Sequence, residues 1–116
     1  MPSVFGRIAA AHQICGQLIR AVDLLPARNP NHIRFRLSFT DGSRLQVSEE
    51  WRRGELGAYS YYWLDAHDAL IQGWDNAPHH RSVSTFPHHR HDARGNVHSA
   101  LPVSVSDVLG TILPLL

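Results

Sequence analysis

Ile33-Arg34-Phe35-Arg36-Leu37-Ser38-Phe39-Thr40, then Asp41-Gly42-Ser43 and Arg44-Leu45-Gln46-Val47, is the stretch that decides the fold. Ile33, Phe35, Leu37 and Phe39 alternate with polar residues, and a period of two puts all four on one face of a strand. Asp41-Gly42 supplies the residues a tight hairpin needs at positive φ, so the chain turns back and Leu45 and Val47 rejoin the apolar face. Two antiparallel strands follow, with Arg34 and Arg36 on their polar face.

Working outward toward the C-terminus, Glu49-Glu50-Trp51-Arg52-Arg53 reads as a charged loop leading to Gly54 and Gly57. Residues 58–64, AYSYYWL, favour a strand, with Tyr59, Tyr61 and Trp63 on one side and Ser60, Tyr62 and Leu64 on the other. Asp65-Ala66-His67-Asp68 is a turn, and residues 69–75 form a fourth strand that ends on Asp75. Residues 82–86 are expected to add a short strand, and residues 92–96, with Gly95, a turn. Ser104 or Ser106 caps a short helix through Val108, Leu109, Ile112 and Leu113, limited by Pro114. Toward the N-terminus, residues 25–31 form a loop. Before it, Val4, Ile8, Ala11, Cys15, Leu18 and Val22 recur at helical spacing behind Ser3 as cap, predicting one helix that ends before Pro26. A sheet with one apolar face needs a cover, and only the terminal helices supply it. The expectation is an α+β fold, an antiparallel meander sheet of about four to six strands covered by an N-terminal and a short C-terminal helix.

The 116 residues make a single domain, 1–116, large enough to bury a core. The net charge is +1 with the nine histidines neutral, far from the strongly basic footprint of an obvious nucleic-acid binder. All eleven basic residues are arginine, which reflects either base composition of the gene or a use for guanidinium forks on phosphate. The lone Cys15 rules out an intramolecular disulfide, fits a reducing cytoplasm and falls on the apolar side of the first helix as core filling. His12, Gln13 and Gln17 interrupt the N-terminal segment, so no signal peptide is read there, and no segment approaches the ~20 apolar residues of a membrane span. A cytoplasmic protein is expected.

Trp74-Asp75-Asn76-Ala77-Pro78-His79-His80-Arg81 and Thr85-Phe86-Pro87-His88-His89-Arg90-His91 carry the chemistry. Histidine titrates near neutrality, ligates metals and moves protons, so His79, His80, His88, His89 and His91 are candidate catalytic residues. Proline biases the residue before it toward extended backbone, so each Pro-His-His pair is expected on a stiffened, extended segment. His89 and His91 then share one face, and Phe86, His88 and Arg90 the other. A histidine pair does acid–base chemistry without metal when one ring takes a proton and the other gives one. Asp75 would orient an imidazole. The plainer readings are turn chemistry for Asp75-Asn76-Ala77-Pro78, a solvated face for Arg34 and Arg36, and core or sheet-surface packing for Trp51, Trp63 and Trp74. A second chemistry is a divalent ion such as zinc on His88, His89 and His91 with His79 or Asp75, although the spacing matches no structural zinc signature.

Asp41-Gly42-Ser43, Leu45 and Glu49, then Tyr61 and Trp63, then the two histidine motifs, resemble the TumE-type toxin family of type II toxin–antitoxin systems, over roughly residues 33–99. The resemblance implies a growth-arresting toxin neutralised by a cognate antitoxin, typically a helix-turn-helix protein, and a likeness to RelE-type ribosome-dependent ribonucleases. It implies RNA, on the ribosome or free, as target, but brings no established set of catalytic residues. On RNA, one histidine would take the proton of a 2′-hydroxyl and another would protonate the leaving 5′-oxygen, Arg81 or Arg90 would clamp the phosphate, and Arg34 and Arg36 would track RNA. RelE-type toxins often use lysines and arginines with few histidines, so a ribonuclease here is differently staffed. A toxin that only blocks a cellular site is the non-catalytic alternative.

Overall fold

The computed structural model describes residues 2–116. Helix α1 (Val4–Cys15) is followed by strands β1 (Ile19–Leu24), β2 (His32–Phe39), β3 (Arg44–Arg52), β4 (Glu55–Leu64), β5 (Leu70–Asp75), β6 (His89–Asp92) and β7 (Val97–Ser99), and then by helix α2 (Val105–Ile112). The strands form one antiparallel sheet in sequence order, a seven-stranded meander. The expected α+β architecture is therefore present, with more strands than the sequence suggested.

Strict alternation gives the sheet two unlike faces. Ile33, Phe35, Leu37 and Phe39 of β2, Leu45 and Val47 of β3, Tyr59, Tyr61 and Trp63 of β4 and Trp74 of β5 are buried together with Ala11 and Cys15 of α1 and Val105, Val108, Leu109 and Ile112 of α2. Each large side chain fully buried there contributes on the order of 1.5–3 kcal/mol, so this face holds the molecule together. Ser3 caps α1 by accepting from the Gly6 amide, and Ser104 forms a capping box with Asp107 at the start of α2. The opposite face has no helix. It carries His32, Arg34 and Arg36 of β2, Gln46, Ser48 and Glu50 of β3, and Ser60 and Tyr62 of β4, all half-buried.

Several expectations are corrected. The first helix ends at Cys15, because Gly16 adopts φ 54° and ψ −125°, a conformation costly for residues with a Cβ, and its amide bonds to the His12 carbonyl. Ile19–Leu24 is instead a strand with Val22 opposite Leu37. The three-and-four spacing of Leu18 and Val22 mimicked a helix, but the free edge of β2 offered ladder partners.

The charged run at residues 49–53 is not a loop either. β3 continues to Arg52, and Arg53-Gly54, both at positive φ, make the two-residue hairpin into β4. At the first hairpin only Gly42 has positive φ, with Gly42 N donating to Phe39 O and Phe39 N to Ser43 O. Ser43 locks that turn by donating to Asp41 Oδ1 at 2.6 Å and accepting from Trp63 Nε1 at 3.0 Å. Residues 82–86 form turns rather than a strand, since Phe86 N bonds Val83 O and His88 N bonds Thr85 O within the segment. The first Pro-His-His unit is likewise in a turn, with His79 N on Ala77 O, and the Phe86-Pro87 peptide is cis. Only His89 onward is extended.

Candidate functional site

The register of β4, β5 and β6 builds the site. Asp75 lies between Ser60 and His89, and Gly73 between Tyr62 and His91, so Asp75, His89, His91 and Tyr62 all project from the face that the helices leave uncovered. The turns of residues 76–88 fold back over this end and bury Asp75 and His89 to 3% and 1% exposure. A carboxylate is tolerated at such depth only when its oxygens are partnered. Asp75 Oδ1 accepts from the Ala77 amide at 3.0 Å, and Oδ2 from the Tyr62 hydroxyl at 2.8 Å. These two donors fix the carboxylate plane.

The imidazoles close on it. His89 Nε2 lies 2.9 Å from Asp75 Oδ1, and His91 Nε2 lies 3.0 Å from Oδ2 and 3.1 Å from His89 Nε2. His89 Nδ1 is 2.9 Å from the Pro87 carbonyl, which only accepts, so Nδ1 carries a proton. His80 completes the group, its ring edge-on to both His89 and His91 at centroid distances of 4.8 and 5.5 Å. One ring nitrogen from each of His80, His89 and His91 falls within 4.8 Å of the others.

Tyr62 was not picked out as a site residue in the sequence, yet it is the hydroxyl that holds Asp75. Burial, followed by the bond to Asp75 and its charge, raises the Tyr62 hydroxyl above the usual tyrosine range, so it remains a donor at neutral pH. Gly73 makes room for it: a Cβ there would overlap the Tyr62 ring, 2.8 Å from Cε1. The signal was present in the alternation of residues 58–64, which put Tyr62 opposite the core-facing Tyr61.

The other expected residues disperse. His79 is exposed on its turn. His88 faces the core side, stacked on Tyr59 with Nδ1 2.8 Å from its hydroxyl. Arg90 lies opposite Trp74 and so on the other face from His89 and His91, and Arg81 rests over the Phe86 ring. The zinc set that included His88 and His79 is therefore not assembled; His80 takes their place. Arg34 and Arg36 do lie on the open face, Arg34 donating to the Pro26 carbonyl at 3.0 Å and Arg36 reaching Asp23 at 3.7 Å. Arg34 also lines a cavity of about 650 Å³ with Arg28, His32, Gln46, Ser48 and Tyr62. Tyr62 lies at both this cavity and a smaller one bordered by Asp75, so the polar face leads to the cluster. His32 in that cavity is held below the ordinary histidine range, chiefly by burial and further by Arg34 and Arg28, against an opposing pull from Glu50.

Turn chemistry and site chemistry coincide at residues 75–77. Asn76 accepts from Tyr59 N and donates to Gly57 O, locking the turn that presents Asp75.

The family model described as Toxin TumE matches residues 10–115, nearly the whole chain. The chain belongs to the TumE toxin family. No curated protein and no solved structure matches it. Membership in TumE carries two consequences: the molecule is of a toxin family, and such a toxin implies an antitoxin partner. Among the described residues no helix of this TumE chain is long and apolar enough to cross a membrane.

Proposed function

We propose that this TumE-family chain arrests growth as an endoribonuclease acting in the cytoplasm, with the Asp75, His80, His89 and His91 cluster as its reacting centre. The observation that carries the reading is the convergence of three imidazoles on one fixed, buried carboxylate at the end of a polar sheet face bearing arginines. A sheet of this size does not need such a group to fold, and clustering of titratable side chains marks sites of chemistry.

The geometry favours a particular division of labour. In-line displacement puts the attacking and leaving oxygens on opposite sides of phosphorus. His89 and His91, with their Nε2 atoms 3.1 Å apart, leave no room for a phosphate between them and do not serve as separate base and acid. The cluster instead acts from one side, taking the proton of the 2′-hydroxyl as that oxygen bonds to phosphorus; the P–O5′ bond breaks on the far side, and the leaving oxygen takes its proton from solvent. His91 and His80, half-buried, meet the substrate; Asp75 and His89, fully buried, position them. Arg34 and Arg28 along the adjoining cavity supply positive charge for the RNA backbone. The neutralising partner is the helix-turn-helix antitoxin implied by the family resemblance.

The test is cleavage of naked RNA and of messenger on translating ribosomes by purified wild type and by folded His91→Ala, with His79→Ala as the control. Cleavage by wild type and His79→Ala that is lost in His91→Ala supports the proposal. Growth arrest without cleavage of either substrate overturns it in favour of a blocking toxin.

A further inference from the structure

We propose that His80, His89 and His91 bind a divalent transition-metal ion of the zinc class, with the Asp75 carboxylate beside it. One ring nitrogen from each of His80, His89 and His91 lies within 4.8 Å of the others, at the end of the sheet's open face. His89 Nδ1 donates to the Pro87 carbonyl, which turns Nε2 toward the cluster. Nε2 faces Asp75 Oδ1 at 2.9 Å and His91 Nε2 at 3.1 Å, while Asp75 Oδ2 faces His91 Nε2 at 3.0 Å. These contacts are made in a pocket where His89 is 1% exposed and water has little access. A cation at the point of convergence would bind the nitrogens and be balanced by the carboxylate.

Nitrogens bound at about 2.0–2.1 Å in a tetrahedral sphere stand about 3.3 Å apart, close to the 3.1 Å between His89 and His91. The His80 nitrogen lies within 4.8 Å of both, and its turn would close on the ion to bring it to bonding distance. Three imidazoles select zinc, nickel, copper or iron over magnesium and calcium, which prefer oxygen. A backbone carbonyl holding the far nitrogen of a ligating histidine is the usual support for a metal site, and Pro87 O provides it for His89. The carboxylate adds negative charge, and its own position is fixed by Tyr62 and Ala77 rather than by the histidines. His80 reaches the cluster from the turns of residues 76–88, so the ion would also tie that segment to the sheet. The binding claim is independent of the RNA reading. The use of the ion rests on that reading: an open position beside three histidines lowers the pKa of a bound water and polarises a phosphoryl oxygen.

The experiment uses full-length, tag-free protein stripped with EDTA and dialysed, titrated with Zn²⁺ by calorimetry and with Co²⁺ by visible absorption. The expected result is one ion per chain with tetrahedral-type cobalt bands. Binding should weaken by about a hundredfold or more in His80→Ala and in His91→Ala, beyond the 10–100-fold that loss of a supporting residue costs. His79→Ala and His88→Ala should bind like wild type. Because His80 and His91 are outside the helix-covered core, these variants should remain folded, as circular dichroism would verify. Absence of one-to-one binding, or binding that His80→Ala and His91→Ala leave unchanged, overturns the metal site. Stoichiometric binding by a protein that leaves RNA intact keeps the site and removes only the ribonuclease.

Discussion

Two buried carboxylates, Glu49 and Asp75, lie on opposite faces of the same sheet, and each accepts a hydrogen bond from one of two adjacent tyrosines. Tyr61 donates to Glu49 Oε2 at 2.6 Å on the helix-covered face; Tyr62 donates to Asp75 Oδ2 at 2.8 Å on the open face. Exposure of the two acids is similar, 1% and 3%. Their partners differ. The remaining oxygen of Glu49 takes Arg7 Nε at 3.0 Å and Trp51 Nε1 at 3.1 Å, both unambiguous donors, and the guanidinium neutralises it. Asp75 instead meets two imidazoles, whose Nε2 atoms either donate to it or bind a cation beside it. A fully satisfied buried charge belongs to the architecture; one left to share protons, or to hold a cation, is free to do chemistry.

That contrast breaks most visibly under substitution. Asp75→Asn should abolish growth arrest, reducing RNA cleavage by about a hundredfold or more while changing Tm little, because an amide keeps one acceptor for Tyr62. Glu49→Ala should do the reverse: it strands Tyr61, Trp51 and the half-buried Arg7 and should cost roughly 2–4 kcal/mol by urea denaturation, with activity per folded molecule unchanged. Gly73→Ala sharpens the comparison, because the added methyl displaces the Tyr62 ring; cleavage should fall about tenfold or more in the range seen for lost supporting contacts. Tyr62→Phe, which keeps the ring and removes only the donor, should cost less than Gly73→Ala. Smallest is an effect away from both carboxylates. Asp92 is held well below the usual carboxylate range, first by the His98 side chain and then by the Asn96 amide. Its folded pKa is depressed, so its contribution is complete above about pH 4 and declines as pH falls further. Amide exchange at Arg94 and Asn96 should rise in that window before the core responds.

How much of this was legible in the sequence depends on whether a signal was local. The alternation in residues 33–40 and 58–64 placed core and open faces correctly, and the Gly95 turn and a serine cap for α2, left between Ser104 and Ser106, were equally local. Residues 19–24 were misread because strand pairing to β2 overrode a helical spacing, and residues 49–53 because partners from α1 and β4 hide the charge of Glu49. Sharing of one face by His89 and His91 followed from period two. The choice of His80 over His79 and His88 did not, because it depends on how turns at residues 76–88 fold over the sheet. Asp75 was read as a group that would orient an imidazole, and it lies beside two, whereas Tyr62 required the register of β4 against β5.

The central claim, that the open-face cluster is what makes this chain toxic, is tested most directly by inducing wild type, His91→Ala and His79→Ala in cells lacking the antitoxin, at matched levels of folded protein. Growth should stop with wild type and His79→Ala and continue with His91→Ala. Growth arrest of equal strength from all three would contradict the account.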